Sequence, residues 1–417
     1  SMFMNFTEAT REYLLLLEQS PAQLGFVQSR ISTYTNKPDG LSAAILVVSD
    51  AQKSEPNNLA LLHLLAWLYM EGKEYDQAFS IYTSIDEKLK AGGREIYNFG
   101  ERALREKAYS SAAKAFEEVI NKYPKSINVG SAKFGYARTL EEASADEDTS
   151  KLFGDLKPFQ FIRTQKHSNL PSFRPTYSAA IEAYTKLILE YPKTEFAANS
   201  LYRTAHIHFN VIFDPVKSLD ALHQIEKSYS NFVSVLIESS ALMGKVYIVQ
   251  GNLDNAAEKF QWLNDSRSAS ADTRERANFG LAEIDFLKGN FKDAISRLQT
   301  LTKNPATETA NDALALLIFI QENQQDENVL KKYSAALFLK KQRQFEKSVE
   351  VFQTIVKENP TSEIVEEILI NIGDIYSLTN RFSDAVAVYE KLNIDFPESI
   401  MTDKSQMKIA TVYQLGL

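Results

Sequence analysis

One register recurs along the chain and leaves it few ways to fold. Ala112, Phe116, Val119 and Pro124 stand at offsets 0, 4, 7 and 12. The same offsets join Ala44, Val48, Ala51 and Pro56, and again Ala180, Tyr184, Leu187 and Pro192. They return at Ser348, Phe352, Ile355 and Pro360, and at Ala385, Tyr389, Leu392 and Pro397. Ala78, Tyr82 and Ile85 keep the first three offsets, as do Ala256, Phe260 and Leu263, and Ala294, Leu298 and Leu301. Offsets 0, 4 and 7 fall on one face of an α-helix. The small residue admits a second helix closely, and the larger residue one turn on fills the space beyond it. Proline ends the segment, because it lacks an N–H and pushes its predecessor out of helical geometry. The YPK[ST] corners at 123–126 and 191–194 therefore read as helix stops, whose Ser126 or Thr194 can cap the next helix. Pro56, Pro124, Pro158 and Pro192 lie on a 34-residue ruler; its tick at Lys90 has no proline.

Another helix precedes each of these. Leu65-Ala66-x-x-Tyr69, Met243-Gly244-x-x-Tyr247 and Ile372-Gly373-x-x-Tyr376 share one spacing. Short turns join the two helices: GKEYDQA (72–78), GNLDNAA (251–257), GNFKDA (289–294) and NRFSDA (380–385). Gly or Asn in such a turn suits a left-handed, helix-ending conformation.

This pattern closely resembles the tetratricopeptide repeat, over roughly residues 25–417 and about nine units. The resemblance implies an all-α, right-handed α-solenoid (superhelix) of TPR-like helix pairs with one long insert. YPK[ST] endings combined with lengthened units are similar to bacterial outer-membrane assembly lipoproteins and related periplasmic repeat proteins.

The small residues step by 34, 34, 68, 38, 38, 38, 54 and 37, with Ser218 completing the series. The expected organisation is an N-terminal helical cap over 1–36, repeats over 37–302, and more repeats over 331–417. The 68-residue step hides an irregular insert at 141–175, acidic first, then aromatic and basic through Phe159, Phe161 and Arg163. Those rings either bind something or tuck back onto neighbouring repeats. The 54-residue step holds an extra helix near Glu308–Gln321, and 303–330 is expected to carry that helix or a seam. Ala410 and Tyr413 start another first helix just before Leu417, so the natural chain is expected to continue.

In tetratricopeptide repeats the second, fifth, ninth and twelfth positions of the first helix face the concave groove. Carried onto this chain, the resemblance makes Trp67, Arg94, Tyr97, Phe134 and Arg138 groove residues. Farther along come Tyr202, His206, Lys245, Arg276, Phe279 and Tyr333. Aromatics mixed with arginine are what interface hot spots favour. Repeats that clamp a chaperone's C-terminal carboxylate need Lys and Asn at the fifth and ninth positions. Here His63 and Trp67, then Tyr97 and Glu101, occupy them, which disfavours that function.

The remaining chemistry points away from catalysis. The chain has no cysteine, so disulfides, thiolate metal sites and thiol nucleophiles are excluded. No glycine-rich phosphate loop, H-x-x-x-H pair or Gly-x-Ser-x-Gly elbow is present, and no cofactor is expected. A net charge of −8 argues against nucleic acid as the main partner. The longest apolar runs are too short to span a bilayer. Ser1-Met2 reads as an expression scar ahead of a trimmed start, which leaves room for a removed export signal or lipid anchor.

The expectation is a non-catalytic scaffold that binds a protein or peptide on its concave surface. Its compartment is expected to be the bacterial periplasm or the periplasmic face of the outer membrane, with the cytoplasm as the alternative. Two other readings stand beside it. One is a structural subunit of an envelope assembly or export complex that uses its convex face and insert. The other is the superhelical arm of an enzyme whose catalytic domain lies outside residues 1–417.

Overall fold

The computed structural model describes residues 6–147, 175–303 and 307–416, and no strand occurs among them. The chain divides into two compact units, whose described residues are 6–147 with 175–192, and 193–303 with 307–416. The division falls at Pro192, inside a YPK[ST] corner.

The first unit holds α1 (Phe6–Gln19), α2 (Leu24–Thr35), α3 (Pro38–Ser54), α4 (Leu59–Glu71) and α5 (Tyr75–Leu89). It continues with α6 (Arg94–Arg105), α7 (Tyr109–Lys122), α8 (Val129–Glu147) and α9 (Tyr177–Glu190). The second unit begins with α10 (Glu195–Ile207), α11 (Pro215–Ser228), α12 (Val233–Val249), α13 (Leu253–Asp265), α14 (Ala271–Leu287) and α15 (Phe291–Leu301). It ends with α16 (Glu308–Asn323), α17 (Glu327–Lys341), α18 (Phe345–Glu358), α19 (Ile364–Leu378), α20 (Phe382–Asp395) and α21 (Met401–Gly416).

Within each unit, neighbours in sequence are neighbours in space. α4 packs on α5, α6 on α7 and α8 on α9; in the second unit α12 packs on α13, α14 on α15, α17 on α18 and α19 on α20. The second helix of a pair also packs on the first helix of the next, as α7 does on α8 and α13 on α14. One pair cannot bury its apolar face alone, so this stacking supplies the core.

The register explains the packing. Ala44, Ala78, Ala112, Ala180, Ser218, Ala256, Ala294, Ser348 and Ala385 are all fully buried. Where serine takes the place of alanine, its hydroxyl is satisfied by the partner helix: Ser218 Oγ donates to the Ala205 carbonyl at 2.9 Å, and Ser348 Oγ to the Ala336 carbonyl at 2.8 Å. The aromatic one turn later slots between two first helices. The Phe116 ring lies against Gly100 of α6 and Gly135 of α8, and the Phe260 ring against Gly244 of α12 and Gly280 of α14. A β-carbon at any of these four glycines would come within 2.9 Å of the ring.

The four turns singled out in the sequence close by one hydrogen-bond scheme. The N–H of Glu74 bonds the Tyr69 carbonyl, Asn252 bonds Tyr247, Asn290 bonds Asp285, and Arg381 bonds Tyr376, each at 2.8 Å. A residue with positive φ sits just before each donor: Lys73, Gly251, Gly289 and Asn380. Glycine or asparagine fills this place in three of the four. In GKEYDQA it is Lys73, at φ 57°, and not Gly72, at φ −78°, that turns left-handed. At the proline-free tick, Lys90, Gly92 and Gly93 all take positive φ and stop α5.

Three further departures from the simple pattern shape the units. α8 runs to Glu147, into the stretch expected to be insert, while residues 148–174 lie outside the described ones. α10 ends in a π-helix, His208–Ile212, closed by Phe213 at φ 60°. α16 packs on α15, and α17 then contacts α14 as a following first helix would.

Candidate partner-binding surface

In the first unit, α6 and α8 bring Tyr97, Glu101, Phe134 and Arg138 together. Arg138 spans Glu101 of the neighbouring helix at 3.7 Å and Glu142 of its own at 3.1 Å. The half-buried Tyr97 ring lies 5.9 Å from Phe116. Burial, and then the Glu101 carboxylate, raise its phenol pKa, against opposing pulls from a Ser131 hydrogen bond and from Arg138. Phe134 packs on Tyr184 of α9 with centroids 5.9 Å apart, and the Tyr184 hydroxyl donates to Glu141 at 2.7 Å. Trp67 is half-buried against the core formed by α1, α2, α3 and α4. Tyr97 and Phe134 are thus half-buried on packed neighbours, on the two helices that the Glu101–Arg138 pair joins. Arg94 stands apart from them: it is exposed at the start of α6 and pairs with adjacent Glu95 at 2.9 Å.

In the second unit the expected residues stay on their separate helices. Tyr202 and His206 adjoin on α10, with rings 6.4 Å apart. Lys245 is exposed on α12. Arg276 is exposed on α14 and pairs with Asp272 at 3.2 Å, while Phe279 is half-buried. Glu283, one turn beyond Phe279, pairs with Lys341 of α17 at 2.7 Å.

Tyr333 is the correction. It is 3% exposed and belongs to the core, not to a surface. Its ring packs on Phe319 at 4.9 Å and on Phe352 at 5.6 Å, and Asn371 Nδ2 donates to its hydroxyl at 3.2 Å. Burial raises its pKa well above the usual phenol value. The physical cause is α16, which brings Phe319 over the place that a regular array would leave open. Phe159, Phe161 and Arg163 lie outside the described residues.

Two polar centres were not visible in the spacing. Asp86, buried near the end of α5, accepts from the N–H groups of Gly93 at 2.9 Å and Glu95 at 3.0 Å, so it caps α6 from the preceding helix. An aspartate seven residues ahead of a Gly-Gly helix start was the available signal. Asp374 of α19 gathers Lys408 Nζ at 2.7 Å, the Tyr389 hydroxyl at 2.7 Å and buried Lys340 Nζ at 3.7 Å. Lys340 also donates to Asn371 Oδ1 at 2.7 Å, and burial lowers its pKa.

Among the described residues no three His, Asp or Glu side chains converge as metal ligands, and no helix is long and apolar enough to cross a membrane.

Comparison with known proteins follows the same lines. Residues 101–126, within α6 and α7 and the corner after them, and residues 366–392, within α19 and α20, each match a family model described as tetratricopeptide repeat. No relative is found among curated proteins. A crystal structure of a tetratricopeptide repeat protein from Parabacteroides merdae ATCC 43184 aligns at 13% identity and TM-score 0.39, over 78% of this chain and 99% of that one. The TPR domain of P58(IPK) aligns at 13% identity and TM-score 0.20, over 97% of this chain and 98% of its own. With a matched repeat in each unit, and the same small-residue and aromatic packing in the pairs around it, this chain carries tetratricopeptide repeats.

Proposed function

We propose that the chain is a non-catalytic scaffold that binds a protein partner on its first-helix surface. Tetratricopeptide repeats support protein–protein interaction in general; the finer reading concerns where this chain does it. The supporting observation is the α6–α8 cluster: half-buried rings at Tyr97 and Phe134, on the two helices that the Glu101–Arg138 pair joins. Half-buried aromatics need little further ordering when a partner covers them, and an arginine beside them adds directional hydrogen bonds. The occupant that suits such a row is an extended segment or a helix of the partner.

The proposal extends to a bacterial envelope compartment. Its support is the cysteine-free sequence and the likeness of the YPK[ST] corners to periplasmic repeat proteins. The competing scaffold reading uses the outward faces of the second helices.

Site-specific photo-crosslinking in the source cells separates the two. A photoreactive residue at Tyr97 or Arg138 should capture the same partner, and Tyr97→Ala should abolish capture from position 138. Capture from exposed positions on α5 or α7, such as Lys88 or Asn121, with none from 97 or 138, would overturn the groove reading.

A further inference from the structure

A cleft opens on a side of the second unit that the scaffold reading does not use. It lies between α18 and α19, which touch less extensively than α7 and α8 or α13 and α14 do. Its volume is about 270 Å³. Phe345 and Val349 of α18 and Ile375 and Tyr376 of α19 form the apolar floor. Tyr376 and Asp374, two residues apart on α19, point about 200° away from each other, so this cleft and the Asp374 centre occupy opposite sides of the helix.

The rim carries one dominant sign. Glu346 and Glu350 lie one turn apart on α18, both exposed. Among the described residues neither is in an ion pair. The neighbouring cations are engaged elsewhere. Lys347 donates to Gln344 at 3.0 Å. Arg381 is held by Asp384 at 2.6 Å and lies over the Tyr376 ring, 4.1 Å from its centroid. Gln353 Nε2 reaches the Tyr376 hydroxyl at 3.5 Å, and Thr379 completes the wall.

The space is below the ~300 Å³ at which small-molecule pockets usually begin, so it suits one long side chain better than a cofactor. An apolar floor with two exposed carboxylates on its rim and no ion pair to either among the described residues matches an amphipathic cation. Lysine and arginine carry an aliphatic stem that packs on apolar surface and a charged head that stays in water.

We propose that this cleft takes a lysine or arginine side chain of a partner protein, with its stem over Phe345 and Val349 and its head between Glu346 and Glu350. The partner segment is basic around that residue, and its attraction weakens with salt because the rim is exposed. This contact would be a second one, independent of the α6–α8 cluster.

The test uses the full chain and fluorescein-labelled pentapeptides, Gly-Arg-Leu-Arg-Gly and Gly-Glu-Leu-Glu-Gly, titrated to millimolar concentration at low salt and read by anisotropy. The basic peptide should bind and the acidic one should not. Glu346→Gln with Glu350→Gln, both on the surface, should weaken the basic peptide roughly three- to thirtyfold, the effect of losing two exposed pairs. Glu12→Gln with Glu18→Gln, an equal charge change on exposed positions of α1, should leave binding unchanged. Failure of the basic peptide to bind overturns the proposal. So does an unchanged affinity in the α18 variant, or an equal loss in the α1 variant, which would show only general attraction to an acidic protein. Circular dichroism confirms that both variants stay folded.

Discussion

Phe116 of α7 and Gly135 of α8 meet so closely that a β-carbon on the glycine would lie 2.5 Å from the ring. The same ring would lie 2.8 Å from a β-carbon on Gly100 of its own pair. Each aromatic of this class therefore reads the helix before it and the helix after it at once, which is how a local register specifies a stack.

Gly135→Ala tests this directly. In a helix the change normally stabilises by about 0.5–1 kcal/mol. Here it forces the Phe116 ring or the helix to move, and overpacking costs about 1–3 kcal/mol. The expected net result is a loss of about 1 kcal/mol in urea denaturation. In a Phe116→Leu background the same substitution should become neutral or stabilising. A stabilising Gly135→Ala in the wild-type background would show that the ring yields freely.

Asp86→Ala should destabilise the first unit by about 1–3 kcal/mol, because the buried N–H groups of Gly93 and Glu95 lose their acceptor. Asp86→Asn retains one amide oxygen and should recover part of that loss. Hydrogen exchange provides the specific readout: protection at the start of α6 should fall before protection in α7 does.

The register was legible because sterics alone demand it. A helix that packs tightly needs a small residue at the crossing, so Ala44, Ala112 and Ala385 could be placed in the core from spacing. What escaped was set by partners distant in sequence. Tyr333 is buried because Phe319 of the odd helix α16 covers it, and a position count that assumes regular pairs cannot see that. Lys73, and not Gly72, turns left-handed in the first of the quoted turns, because the closing bond from Glu74 to Tyr69 fixes the place of that residue whatever its type. α8 outran its expected end because Ala143 and Ser144 still find burial, and Ser144 Oγ donates to the Leu140 carbonyl. Of the candidate surface, the repeat resemblance named Tyr97 and Arg138 as groove positions on successive first helices. The Glu101 bridge between them is a property of the packed helices.

Alkali should unfold the chain through its buried phenols. Tyr136 is pushed up to about 12, first by burial and then by Glu117, and burial also raises Tyr82, Tyr97, Tyr333 and Tyr389 above the ordinary 10.0. A raised pKa means that the folded state holds protons the unfolded state has released, so its stabilising contribution is complete below pH 10.0 and is lost as pH climbs through the folded value. Lys340, lowered by burial, acts with the opposite sign up to the ordinary lysine value of 10.5, and Arg343, pushed down to about 10 by burial, opposes the fall across the same window, so the net loss rests on the raised phenols outnumbering these two cations. Urea midpoints should therefore fall between pH 10.0 and about 12, in step with delayed tyrosinate absorbance. Tyr136→Phe should shallow that fall; an unchanged slope would mean that Tyr136 titrates as an exposed phenol.

Phe213 and Arg343 tie two turns of the second unit together, and the tie combines two effects that substitution can separate. The Arg343 guanidinium lies 3.5 Å from the centre of the Phe213 ring, and burial pushes its pKa down to about 10. A desolvated cation on an aromatic face contributes about 2 kcal/mol or somewhat less. Phe213 also sits at φ 60°, a left-handed conformation that costs a residue with a β-carbon about 1–2 kcal/mol. Phe213→Ala removes the ring and keeps the backbone strain, whereas Phe213→Gly removes both. The expected order of stability is wild type, then Phe213→Gly, then Phe213→Ala, with about 1 kcal/mol between the last two. An alanine variant as stable as the glycine variant would show that the π-helical turn relaxes once the ring is gone. An alanine variant as stable as wild type would show that the stacked guanidinium contributes nothing to holding the two turns together.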